Sequence, residues 1–139
     1  METSELRRRL VQTIERAKKQ AAERRARSDD ASQAFETFLR NIAVPMFRQT
    51  GNILKAEGYA FSLFTPLGSV RLMSDRSTED FIELSLDVSS EVPQVIGHAS
   101  RSRGRRVIEE ERAIGSPATL TEEALLDFLA KELEAFVER

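Results

Sequence analysis

The chain has no cysteine and no tryptophan, and only one histidine, His98, and one tyrosine, Tyr59. Without cysteine there are neither disulfides nor thiolate metal sites. A single histidine excludes any site that needs two from one chain. Aromatic stacking surfaces must come from phenylalanine. No stretch approaches the ~18 consecutive apolar residues of a membrane span. Residues 1–9 (METSELRRR) have no apolar run behind their basic residues and do not read as a secretory leader. The expectation is therefore a cytoplasmic protein with no membrane partner. Charge of one sign is also lacking: 21 basic against 23 acidic residues give a net charge of -2 and a pI near 5.6. That balance argues against a whole-protein polyanion binder and leaves local basic patches to be weighed one by one. Neither glycine nor proline occurs before Pro45.

What is present is helix. At 139 residues, 40% hydrophobic and 32% charged, the chain fits one domain, or one domain with an arm. From about Thr3 to Ala56 helix formers run almost without interruption. Such a helix spans roughly 80 Å, whereas a compact domain of this length has a radius of gyration of about 14 Å. Part of the helix must project from its own domain or find a partner.

Apolar residues recur at alternating steps of four and three: Leu10, Ile14, Ala17 and Ala21. The register continues through Arg24 and Ser28 to Ala31, Phe35, Phe38 and Ile42. This is the a/d seam of a coiled coil or a long packed helix. The seam is narrow and partly polar at first. It then widens over Ala34, Phe35, Phe38, Leu39, Ile42, Met46, Ile53 and Leu54, as suits a helix lying on a core. Asp30 with Gln33 resembles a capping box and offers a competing break into two helices, but the heptad phase survives the acidic pair, so a continuous helix is favoured. Pro45 is expected to kink it, Gly51 to loosen it, and Gly58 to stop it.

After Gly58 the hydrophobic period changes to 2. Strands are expected at 59–65, 70–74, 81–88, 94–100 and 105–113, joined by short connections and hence antiparallel neighbours. Thr121 is a good N-cap for a last helix, with Leu125, Phe128, Leu129, Leu133, Phe136 and Val137 on one face. The expected fold is α+β: a long N-terminal helix kinked near Pro45, a four- to five-stranded antiparallel meander, and a C-terminal helix on the sheet. Residues 1–30 read as a projecting helical arm and 31–139 as a single α+β domain.

Signals for chemistry are few. There is no P-loop, dinucleotide fingerprint, zinc motif, EF-hand or G-x-S-x-G. No catalytic, cofactor-binding or metal residues are assigned, and the chain is not expected to be an enzyme. His98 on a strand reads as structural. Asp75, Glu79, Asp80, Glu83 and Asp87 could in principle supply an acid/base pair, but Glu83 and Asp87 share the outward strand face, which is the expected place for solvated acids. Arg101, Arg103, Arg105 and Arg106 crowd a hairpin tip. They would suit phosphate, but Glu109, Glu110 and Glu111 follow at once and favour a solvated, ion-paired turn. Nine basic and six acidic residues leave the first 30 residues at +3, less biased than a nucleic-acid arm. Glu5–Arg9 and Glu15–Lys19 are spaced as stabilising helix pairs.

The leading expectation is an interaction or scaffold module, homodimeric through its long helix and open to a further protein partner. Its interface candidates are Leu10, Ile14, Ala17, Ala21, Phe35, Phe38 and Ile42. One alternative is nucleic-acid or polyanion binding through Arg101, Arg103, Arg105 and Arg106 with help from the basic arm. Another is binding of a small apolar ligand between sheet and helices.

Overall fold

The computed structural model describes residues 1–137. The first helix, α1 (Thr3–Phe38), runs unbroken through Asp29 and Asp30. It continues through a π-helical turn, Leu39–Ala43, into α2 (Val44–Ala56). Pro45 has no N–H to donate, and its ring crowds the carbonyl of Asn41, four residues back. The wider turn immediately before it makes room for that ring. It also carries one extra residue and so re-phases the buried face. From its last residue onward Ala43, Phe47 and Leu54 are buried, while Ile42 within the turn and Met46 after it are half-buried and Ile53 is 64% exposed. A seam extended past residue 39 at constant period therefore misses Phe47. Gly51 is buried, and a Cβ there would sit 3.1 Å from Leu72 Cδ1, so this glycine lets α2 approach the sheet closely.

Gly58, at φ +94°, ends α2. Tyr59 N–H donates to the Leu54 carbonyl at 2.8 Å and Gly58 N–H to the Lys55 carbonyl at 3.1 Å. This is a Schellman stop, which a residue with a Cβ would strain.

Five strands follow: β1 (Phe61–Phe64), β2 (Ser69–Ser74), β3 (Phe81–Asp87), β4 (Gln94–Arg103) and β5 (Arg106–Gly115). They form one antiparallel sheet in sequence order. The last hairpin is longer and tighter than the sequence pattern suggests. Arg103 pairs with Arg106 across a two-residue turn of Gly104 and Arg105, with φ +64° at Gly104.

One sheet face carries Val70, Leu72, Ile82, Leu84 and Val95, all buried. They share a core with Phe35, Phe38, Leu39, Ala43, Phe47 and Leu54 from the first helical stretch. The last helix, α3 (Glu122–Val137), starts with Ala124 N–H donating to Thr121 Oγ1 at 3.1 Å, the cap its sequence suggests. It buries Leu125, Phe128, Leu129, Phe136 and, unexpectedly, Glu132. Val137, expected on the buried face, is 48% exposed.

Phe128 of α3 lies directly on the backbone of β4. A Cβ built on Gly97 would fall 2.4 Å from Phe128 Cε1. Gly97→Ala must therefore push the ring, and with it α3, off the sheet. The expected loss is about 1–3 kcal/mol, read as a lower denaturant midpoint in equilibrium unfolding.

Candidate functional site

Almost every residue of α1 before Ala31 is exposed. Leu6, Leu10, Val11 and Ile14 are 45%, 53%, 46% and 51% exposed. At 100° per residue, Leu6, Leu10, Ile14, Ala17 and Ala21 all fall within about 60° of the azimuth of Phe35. The open stripe on the arm is thus the same helix face that farther along is buried in the core. Between the two regions the seam faces a loop of the same chain across a cleft. Arg24, Arg27 and Ser28 line a cleft of about 140 Å³ whose other wall is the β3–β4 loop, Val88 to Pro93. Two hydrogen bonds from Ser89 to Asp87 Oδ1 shape the start of that loop, at 2.8 Å from N–H and 2.6 Å from Oγ. The same bonds hold the Asp87 carboxyl below its ordinary pKa.

The seven seam residues thus divide. Leu10, Ile14 and Ala17 are exposed, and Ala21 and Ile42 are half-buried. Phe35 and Phe38 are 2% and 6% exposed, spent in the chain's own core. Val11 and Leu6 lie beside the seam and were not among its heptad positions, yet they widen the same open patch. Of the two spaced ion pairs, Glu5–Arg9 forms at 3.0 Å.

The arginine-rich tip is open. Arg103, Arg105 and Arg106 are exposed and Arg101 is half-buried. None of the ion pairs found among the described residues involves these four. The following acids point elsewhere. Glu109 and Glu111 stand 3.7 and 3.8 Å from the two ring nitrogens of His98, and Glu110 acts on Glu132. Asp80, buried at the base of the tip, accepts from Ser102 N–H at 2.7 Å and Ser102 Oγ at 3.2 Å, which ties β4 to the start of β3.

His98 sits in a row that crosses four strands on the sheet face away from the helices. The register places Arg71 opposite Glu83, Glu83 opposite His98, and His98 opposite Glu111. Arg71 donates from Nε and Nη2 to Glu83 Oε2. Its guanidinium lies 4.0 Å over the Phe81 ring, and Phe81 meets His98 edge-on at 5.0 Å. The opposite charges of Arg71 and Glu83 on neighbouring strands make a stabilising pair, and the His98 ring has a carboxylate near each nitrogen and the Phe81 ring beside it. Ser100, two residues on, is buried with an unpartnered Oγ. No group of three or more acidic or histidine side chains among the described residues is placed to hold a metal ion, and no helix is long and apolar enough to cross a membrane.

Compared with family models, curated proteins and solved structures, the chain matches none. Its function must be argued from its own surfaces.

Two further clefts have apolar walls. One of about 500 Å³ opens at the root of the arm, lined by Phe35, Leu39, Leu67, Leu86 and Val88, with Ser32 and Glu36 at its polar side. This apolar space is at the rim of the sheet. The other lies between α3 and β5, lined in part by Arg112, Asp127, Phe128 and Lys131. Beside it Arg112 stands 5.3 Å over the Phe128 ring and 4.0 Å from the buried Glu132. Nothing in the periodic pattern marked Glu132, because the helix face was read from apolar residues alone.

Burial raises the pKa of Glu132 and Glu110 raises it further, while Arg112, Lys131 and Arg101 offset part of the rise. Folding therefore favours the protonated acid. Its contribution to stability is full below the unfolded value of 4.5 and is lost as pH rises through the folded value. Glu132→Gln keeps the shape and cannot ionise. Thermal unfolding should show it more stable than the parent at pH 7–8, with the gain vanishing below about pH 4.

Proposed function

We propose that the protein is an interaction module that self-associates as a homodimer through the N-terminal arm. One observation carries this reading: Leu6, Leu10 and Ile14 stand half-exposed on the helix face that becomes the core at Phe35, with Val11 exposed at its flank. Isolated exposed apolar residues need no explanation, but a contiguous stripe on a helix with no covering element does. An arm polar all round would serve a solvated spacer equally well, and this one is not polar all round.

The expected strength is modest. Covering the exposed half of each of these four side chains is worth roughly 1 kcal/mol apiece. Eight such residues in a dimer contribute on the order of 8 kcal/mol, against about 4–15 kcal/mol of association cost. Hydrogen bonds and the alanine contacts must supply the remainder, so the dimer should be concentration-dependent.

Ile14→Asp is the informative variant, because Ile14 lies outside the folded core. Sedimentation of the parent at tens of micromolar should give twice the chain mass, and Ile14→Asp should shift it to the monomer while the far-ultraviolet circular dichroism of the folded chain is kept. A monomeric parent, or a variant as dimeric as the parent, counts against the reading. Phe35→Asp is unsuitable, because it would unfold the core it occupies.

The unpaired arginines support a second reading, binding of a polyanion at the β4–β5 tip. Charge contacts with phosphates weaken steeply with salt. Low-salt titration with a single-stranded oligonucleotide should then detect binding that the double variant Arg103→Ala, Arg105→Ala reduces at least tenfold. Equal binding by parent and variant excludes the tip.

A further inference from the structure

The arm's open face has a definite length, and that length bears on how a second copy would lie on it. We infer that two copies pair antiparallel, about a two-fold axis near Gln12, with each N-terminus ending beside the partner's Ala21. This rests on the reading of the arm as a homodimer surface and adds its direction and register.

Three observations point to antiparallel pairing. The first is steric. From Arg24 onward the seam azimuth faces a cleft whose other wall is the chain's own β3–β4 loop, and from Ala31 it is taken up by the chain's own core. A parallel pair would carry two domains on the inner sides of its two helices at the same level, where each would block the other. An antiparallel pair puts them at opposite ends.

The second is length. The uncovered seam runs from the helix start at Thr3 to Ala21, which is half-buried. An axis at residue 12 overlaps that segment with its own copy from end to end and stops short of the partner's loop. Leu10 then faces the partner's Ile14 and Ile14 the partner's Leu10, so both large apolar layers lie at the centre. Arg7 and Thr3 face the partner's Ala17 and Ala21, where small side chains leave room for a longer one. In a parallel pair the two alanine layers would face themselves.

The third is charge. The flanking positions of the antiparallel register bring Val11 to the partner's Val11, Thr13 to the partner's Thr13, Leu6 to the partner's Gln20 and Ser4 to the partner's Lys18. No like charges meet. A parallel seam continued one further turn would set Arg24 against the partner's Arg24. The acidic start, Glu2 and Glu5, also lies level with the basic stretch that includes the partner's Lys18 and Lys19. The opposed helix dipoles favour the same direction.

The chain lacks cysteine, so single cysteines can carry spin labels on the full-length protein. Ser4→Cys, Gln12→Cys and Ala26→Cys all fall on exposed positions of the arm. The antiparallel pair predicts the shortest label-to-label distance at Gln12, roughly 25 Å at Ser4 and roughly 43 Å at Ala26, from 1.5 Å of rise per residue. Short and similar distances at all three positions would mean parallel arms. That result overturns the inference and leaves the dimer standing. Distances beyond about 60 Å at all three, in a sample that sediments as a dimer, would put the contact elsewhere and overturn both. A parent that sediments as a monomer removes the homodimer itself, and the inference with it.

Discussion

The burial of Phe35, Phe38 and Leu39 beneath the sheet is the contact on which the rest of the molecule depends. A helix is stiff in rotation, so fixing three side chains on one turn fixes the azimuth of every residue before them. Leu6, Leu10 and Ile14 face as they do because Phe35 faces the core. The same contact sets the far end. The π-helical turn at Leu39–Ala43 adds one residue to the spiral, and that extra residue delivers Ala43 and Phe47 to the sheet in place of Ile42 and Met46. One helix face is thereby buried in the domain at one end and open to solvent along the arm at the other.

The sheet is held to its second helix by a different kind of contact. Gly97 offers bare backbone, the Phe128 ring lies on it, Arg112 covers the ring, and the carboxylate of Glu132 faces that guanidinium at the limit of ion-pair distance. Two of these four groups are apolar and tightly packed, and two are charged, with the carboxylate buried. A buried carboxylate with one distant cation is compensated only in part, which is why its proton is held more firmly than usual. The α3–β5 edge is therefore a part of the fold whose stability falls as pH rises.

Charge on the other sheet face is spent internally. Arg71, Glu83, His98 and Glu111 alternate across four strands. This arrangement takes up the acids that the sequence places next to the arginine-rich tip. Strand alternation explains it: Glu109 and Glu111 share the face of His98, and Glu110 turns toward α3. The tip is left positive because its neighbouring acids are committed elsewhere, not because acids are scarce.

The sequence alone determined the element order, the antiparallel meander, the helix stop at Gly58 and the helix start at Thr121, because these follow from local chemistry: period, capping oxygen and glycine at positive φ. It also determined that the first helix exceeds its domain, since length and rise per residue are arithmetic. Tertiary structure decided which seam residues are spent and which are free. Phe35 and Ile14 occupy equivalent heptad positions and nothing local distinguishes them. Only the sheet lying against one and not the other does. It likewise decided the register shift at Leu39, the burial of Glu132 among apolar neighbours, and the direction each acid of β5 faces. These depend on contacts between residues far apart in the chain, and periodicity along one segment carries no record of what packs against it.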